Sequence, residues 1–274
     1  MLFQNLDCLP IILSKISYVD NLSFRLTCRD ANSILSLDFK DIFIERLLEH
    51  NIVSSYKDAV KFCDNLYETG AYVAGSFILD CLYDTNYHRD IDIYDQTTLV
   101  DNYVDDGFEI FGDNNLKFTQ SLYGLGFIRV ACSCGPDPII RHFLHKLYPS
   151  FDQKFNSNIT TDWGQKLLEK CNDTVQIIPI ALTKKENERS FIPRFIKASF
   201  DLEICQSLFN GKNLYIKNLD KIINKYDFIK PNTRFMESVY PRDDERAAIS
   251  TKNRMMKYKE RGFDKIIYYI LIMM

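Results

Sequence analysis

The stretch Tyr72-Val-Ala-Gly-Ser-Phe-Ile-Leu-Asp80, followed by Asp90-Ile-Asp-Ile-Tyr94, constrains this chain more than any other. Alternate side chains of a β-strand point the same way, so Asp90 and Asp92 are expected on one face while Ile91 and Ile93 enter a core. Two carboxylates about 6 to 7 Å apart on one strand face repel each other unless a cation lies between them, and Mg²⁺ favours such oxygen ligands. Upstream, Tyr72-Val73 reads as a short buried strand, Gly75 as a close backbone turn and Phe77 to Leu82 as the start of a helix. A strand, a small-residue turn and a helix N-terminus together present free backbone N–H groups to a phosphate, with the Ser76 hydroxyl as a further donor. The stretch points to metal-assisted nucleotide chemistry.

Thirteen residues, Phe77 to Arg89, separate Gly75-Ser76 from Asp90-Ile91-Asp92-Ile93. This arrangement resembles the signature of the nucleotidyltransferase superfamily of DNA polymerase beta type, over about residues 65 to 95 and more weakly to about residue 220. One departure is Ala74-Gly75, where many members carry a double glycine before the serine. The resemblance implies an α+β fold, a small mixed sheet flanked by helices. It further implies two divalent ions, Mg²⁺ or Mn²⁺, on Asp90, Asp92 and a third acid from a neighbouring strand, with a nucleotidyl group passing from a nucleoside triphosphate to a hydroxyl. Gly75 and Ser76 then hold the phosphates. For the third acid, Val175 to Ile180 reads as a strand of the same sheet but offers Gln176. Phe200-Asp-Leu-Glu-Ile204 repeats the alternating pattern, so Asp201 is expected to complete the metal and catalytic set, with Glu203 in reserve. The other reading of that strand is an ordinary solvated face.

Three segments are expected: a helical module at residues 1–50, an α/β domain at 51–216 and a helical region at 217–274. Leu9-Pro10 opens a short helix with Ile12, Leu13 and Ile16 on one side. A second helix from about Asp20 uses Leu22, Leu26, Ala31, Ile34 and Leu35. Leu9 to Val19 together with Leu26-Thr-Cys-Arg-Asp30 is similar to the F-box, which implies docking of residues 6–48 onto a Skp-type ubiquitin-ligase adaptor. An ordinary helical cap is the alternative. Under the F-box reading the larger domain is a non-catalytic adaptor that recruits a target to a cullin ligase. A helix is expected at 52–68, an acidic surface excursion from Asp95 to Asn115, and a strand pair, Leu116 to Tyr123 and Phe127 to Cys132, joined at Gly124-Leu-Gly126. Ser190 to Ala198 reads as a helix and Asn210-Gly-Lys212 as a turn.

Near the C-terminus, Lys252, Arg254, Lys257, Lys259 and Arg261 form a basic cluster, either a solvated helix face or a source of phosphate contacts through Lys257 and Arg261. The same cluster leaves open metal-independent nucleic-acid binding. The ending Lys257-Tyr-x-x-Arg-Gly-Phe263, with Asn210-Gly-Lys-Asn213 and the motifs above, is also similar to proteins encoded by large DNA viruses.

With 274 residues, 46% of them apolar, the chain is long enough for one large core or two smaller ones. Its net charge of −3 argues against a protein that coats nucleic acid and restricts such contact to a local patch. No apolar run reaches eighteen residues and no signal peptide is legible at the start, so an intracellular, cytoplasmic location is expected, extending to a virus-infected host cell. Eight scattered cysteines suit buried thiols in a reducing compartment. Cys132, Cys134, His142 and His145 offer zinc-type ligands, although Gly135-Pro-Asp-Pro138 also reads as a simple turn.

Overall fold

The computed structural model describes residues 16–26, 38–85, 90–98, 117–133, 140–145, 174–182, 188–200, 202–229, 244–263 and 265–268. Helices α1 (Tyr18–Arg25), α2 (Phe39–Glu49) and α3 (Tyr56–Thr69) come first. Each starts on a side chain that accepts a hydrogen bond from a first-turn amide: Ser17 from Asp20, Asp38 from Lys40 and Ser55 from Asp58. The third ends at Gly70 in the left-handed conformation, which returns the chain into the sheet. Strand β1 (Tyr72–Ala74), helix α4 (Ser76–Tyr83) and strand β2 (Asp90–Thr98) carry the motif. Then come α5 (Lys117–Gly124), β3 (Phe127–Ser133), β4 (Ile140–His145), β5 (Thr174–Leu182) and α6 (Glu188–Ser199). A 3₁₀ turn (Glu203–Gln206), β6 (Leu208–Phe209), β7 (Leu214–Tyr215), α7 (Leu219–Ile223), β8 (Tyr226–Ile229), α8 (Asp244–Glu260) and β9 (Lys265–Tyr268) complete the order.

Seven strands form one mixed sheet, β3-β4-β5-β2-β1-β6-β7, in which β2 and β5 run parallel and the other neighbours antiparallel. This is the mixed sheet with flanking helices that the sequence led us to expect. Its two faces differ. Val73, Ile91, Ile93, Val175, Ile177 and Phe209 enter the large core with α2, α3, α4 and α5. There Phe43 is fully enclosed, its ring centroid 6.5 Å from Phe62, 5.2 Å from Phe77 and 4.7 Å from Phe209. On the opposite face Tyr94, Ile178, Ile180 and Leu208 are covered by Ile192 and Ile196 of α6, forming a smaller cluster.

Helix α2 thus shares the core of the sheet. Residues 6–15 and 27–37 of the F-box-like stretch lie outside the described residues. The C-terminal region contains, besides α7 and α8, a two-stranded parallel sheet of β8 and β9. Among the described residues no helix is long and apolar enough to cross a membrane.

Three local expectations are corrected. Lys117–Gly124 is a helix rather than the first strand of a hairpin, because Phe118, Thr119 and Leu122 recur at helical spacing and turn inward together. Asp95 to Thr98 belong to β2 rather than to a surface excursion, and Asp95 is buried. Its Oδ2 accepts from the amides of Phe118 at 3.1 Å and Thr119 at 3.3 Å, holding the start of α5. Thirdly, Leu202 to Gln206 do not form a strand. Ile204, Cys205 and Gln206 are all buried, so no alternation survives, and the segment coils into a 3₁₀ turn. Lys221 fixes this turn, its Nζ 2.8 Å from Glu203 Oε2 and 2.7 Å from Asp227 Oδ1, while Asp227 Oδ2 accepts from the Ile204 amide at 3.0 Å.

The Asp95 cap yields a measurable expectation. Asp95→Ala leaves buried amides without their acceptor and should cost about 2 kcal/mol in urea denaturation, whereas Asp95→Asn, which keeps an oxygen acceptor, should recover most of it. Equal losses in both variants would mean that the carboxylate charge, rather than the hydrogen bonds, holds the helix.

Candidate functional site

Asp90 and Asp92 stand on the face of β2 opposite Ile91 and Ile93, both of which are fully buried. Ala74 is the register partner of Asp92, so the residue after it, Gly75, brings the backbone over the Asp92 carboxylate. Gly75 has φ 82° and ψ −149°, a conformation open essentially to glycine alone. A Cβ placed there would lie 3.0 Å from Asp92 Oδ2. The glycine therefore serves twice, permitting the turn and leaving room for the carboxylate. Ser76 follows as the first residue of α4, whose leading amides have no side-chain cap. Strand, turn, helix N-terminus and acid pair thus meet in one place.

Part of Asp92 still reaches solvent, but its carboxyl group is drawn deep enough under the turn for burial to dominate. Burial pushes it up to about 7 and the Asp90 carboxylate adds to the rise, while Lys257 and Arg254 oppose it. Two carboxyls side by side, one of them pushed up by burial, offer oxygen donors of the kind a hard divalent cation takes. The residues present fit Mg²⁺ or Mn²⁺.

The C-terminal helix α8 supplies the opposite wall. Tyr258 is buried and its hydroxyl accepts from Cys205 Sγ at 3.0 Å, while the Cys205 carbonyl accepts from the Gly75 amide at 3.3 Å. One chain of contacts therefore ties α8 through the 3₁₀ turn to the glycine bend. Phe263 packs edge-on against both Tyr258 and Tyr83, closing the same junction from below. Lys257 is exposed as a residue, yet partial burial lowers its ammonium below the ordinary lysine range. Arg261 adds to this lowering, and Asp92 and Asp90 counter it. The Arg261 guanidinium sits 5.2 Å from the Tyr258 ring centroid, in cation–π range.

The structure thus brings Gly75, Ser76, Asp90, Asp92 and Lys257 together, with Arg261 just past the end of α8, beside Tyr258 and Lys257. Asp201 lies outside the described residues, and Glu203, its reserve, is engaged by Lys221. Gln176 is the register partner of Asp92 on β5, so that position holds an amide in place of an acid. Among the described residues no group of three or more His, Cys, Asp or Glu is placed to hold a metal. Cys134 lies outside the described residues, while Cys132 is paired with Arg141 and His142 with Ala131, so no register pairing joins Cys132 to either histidine. Arg254, Cys205 and Tyr258 were not singled out for the site from sequence. Only the three-residue step from Arg254 to Lys257 could have hinted at the first.

No family model and no curated protein matches this chain. Two solved structures show a partial likeness. "The structure of CCA-adding enzyme apo form I" aligns with TM-score 0.40 and 14% identity over 70% of this chain and 36% of that one. "The complex structure of CCA-adding enzyme with CTP" aligns with TM-score 0.38 and 11% identity over 70% and 37%. The chain thus spans little more than a third of the length of either enzyme.

Gly75→Ala tests the turn directly. The strained conformation and the close approach to Asp92 should cost about 1 to 3 kcal/mol in thermal unfolding. A variant as stable as the native chain would mean that the bend is not held as described.

Proposed function

We propose that the chain is a metal-dependent nucleotidyltransferase-like protein, which transfers a nucleotidyl group from a nucleoside triphosphate to a hydroxyl acceptor, the oxygen–phosphorus bond forming as the α–β anhydride breaks and pyrophosphate leaves. The observation that carries this reading is the approach of the Gly75 bend to the Asp92 carboxylate, which joins a turn at a helix N-terminus to a pair of acids. Asp90 and Asp92 would hold Mg²⁺ or Mn²⁺, which when bound neutralises phosphate charge and stabilises the oxygens of an in-line displacement. The amides that open α4 and the Ser76 hydroxyl receive the phosphates at the helix N-terminus. Lys257 and Arg261 meet them from α8. Asp201 belongs to the proposal as third ligand and as acceptor of the hydroxyl proton.

In this reading residues 51–216 carry turn and acids, residues 217–274 the opposing cations, and residues 1–50 a helical support. The experiment is incubation of the purified chain with each α-labelled nucleoside triphosphate, Mg²⁺ or Mn²⁺, and pools of RNA, protein and small-molecule hydroxyl acceptors. Transfer of label that requires metal supports the reading. Absence of transfer with every triphosphate and pool contradicts it.

A further inference from the structure

The cationic wall extends beyond the two residues already assigned. Tyr258 pins α8 to the 3₁₀ turn, and Arg254 lies one helical turn before it, on the same side. Because Tyr258 meets Cys205, whose carbonyl holds the Gly75 amide, this side of α8 faces the bend, and Arg254 comes close enough to act on Asp92. Arg254 is half-buried, unlike the exposed Lys252, Lys257 and Lys259 of the same helix. Arg254 and Lys257 stand about 4.5 Å apart along the helix axis, and Arg261 follows just past the end of α8. Arg254 and Lys257 then both lie beside the acid pair, so a phosphate seated there meets positive charge from α8.

We propose that Arg254 contacts the phosphate tail of the ligand and makes the site sensitive to the number of phosphates. The inference rests on the nucleotide reading above and adds a residue and a selectivity to it. A guanidinium grips phosphate oxygens in pairs, which a lysine cannot do. A residue that merely props up Asp92 would weaken every ligand of the site alike. One that binds the tail weakens each ligand in proportion to its phosphates.

The test compares AMP, ADP, ATP and inorganic tripolyphosphate, each with Mg²⁺, by calorimetric titration of the full chain. The proteins are the native one, Arg254→Ala and Arg254→Lys, with Arg254→Gln in case the alanine variant does not fold. Arg254→Ala should leave AMP affinity within about twofold and weaken ATP and tripolyphosphate about tenfold, with Arg254→Lys recovering part of the loss. An equal factor for all four ligands, or no loss for any, overturns the assignment of Arg254 while leaving the nucleotide reading in place. Failure of the native chain to bind ATP and tripolyphosphate overturns both.

Discussion

Replacing Asp90 and Asp92 together by asparagine should reduce nucleotidyl transfer by at least about a thousandfold, because several kcal/mol of transition-state charge stabilisation depend on the divalent cation they hold. Asparagine keeps the size and the strand, with Ile91 and Ile93 still buried behind it, so the loss should appear without unfolding. The fall should lie in the rate of the chemical step and in metal affinity together. A double variant retaining a tenth of native activity would place the reacting phosphate elsewhere.

The same change should make the metal-free protein more stable. In the folded chain Asp92 titrates near 7, against an ordinary value of 3.8, because it is buried and lies beside Asp90. The folded state therefore holds a proton over a range in which the unfolded chain has already lost it. The sign follows from linkage: stability of the metal-free protein declines as pH rises from about 4 through 7, then levels off. A shift of this size corresponds to at most about 4 kcal/mol, and the partial exposure of Asp92 reduces it to about 1 to 2 kcal/mol. Asp92→Asn should raise the melting temperature at pH 8 and change it little at pH 4. Mg²⁺ should stabilise the native chain more at pH 8 than at pH 5, since the ion competes with the proton for the carboxylate. A metal-free melting temperature that climbs between pH 5 and 8 as much in Asp92→Asn as in the native chain would contradict this account.

Much of the site could be read from local pattern. Asp90-Ile91-Asp92-Ile93 alternates at the strand period, and the glycine before α4 stands where the backbone needs φ 82°. Both are short-range constraints. What could not be read depends on contacts distant in sequence. Cys205 and Tyr258 are 53 positions apart, and only the tertiary fold reveals that their contact sets α8 against the bend. Phe118 and Leu122 were assigned to a strand because the helix they form is begun by Asp95, more than twenty residues earlier. Leu202-Glu203 failed for a related reason: Lys221 and Asp227 draw that segment into a turn, and the alternating acids had suggested an open strand. The position opposite Asp92 was identified correctly as strand, and Gln176 places an amide there rather than an acid.

The central claim is that Asp90 and Asp92 hold a divalent cation beside a nucleotide at the Gly75 bend. Titration of Mn²⁺ followed by electron paramagnetic resonance, with and without ATP, tests it most directly in the native chain and in Asp90→Asn/Asp92→Asn. Saturable Mn²⁺ uptake that ATP tightens in the native chain, and that the double variant lacks, is the expected result. Equal uptake by both proteins, or none by either in the presence of ATP, would contradict it.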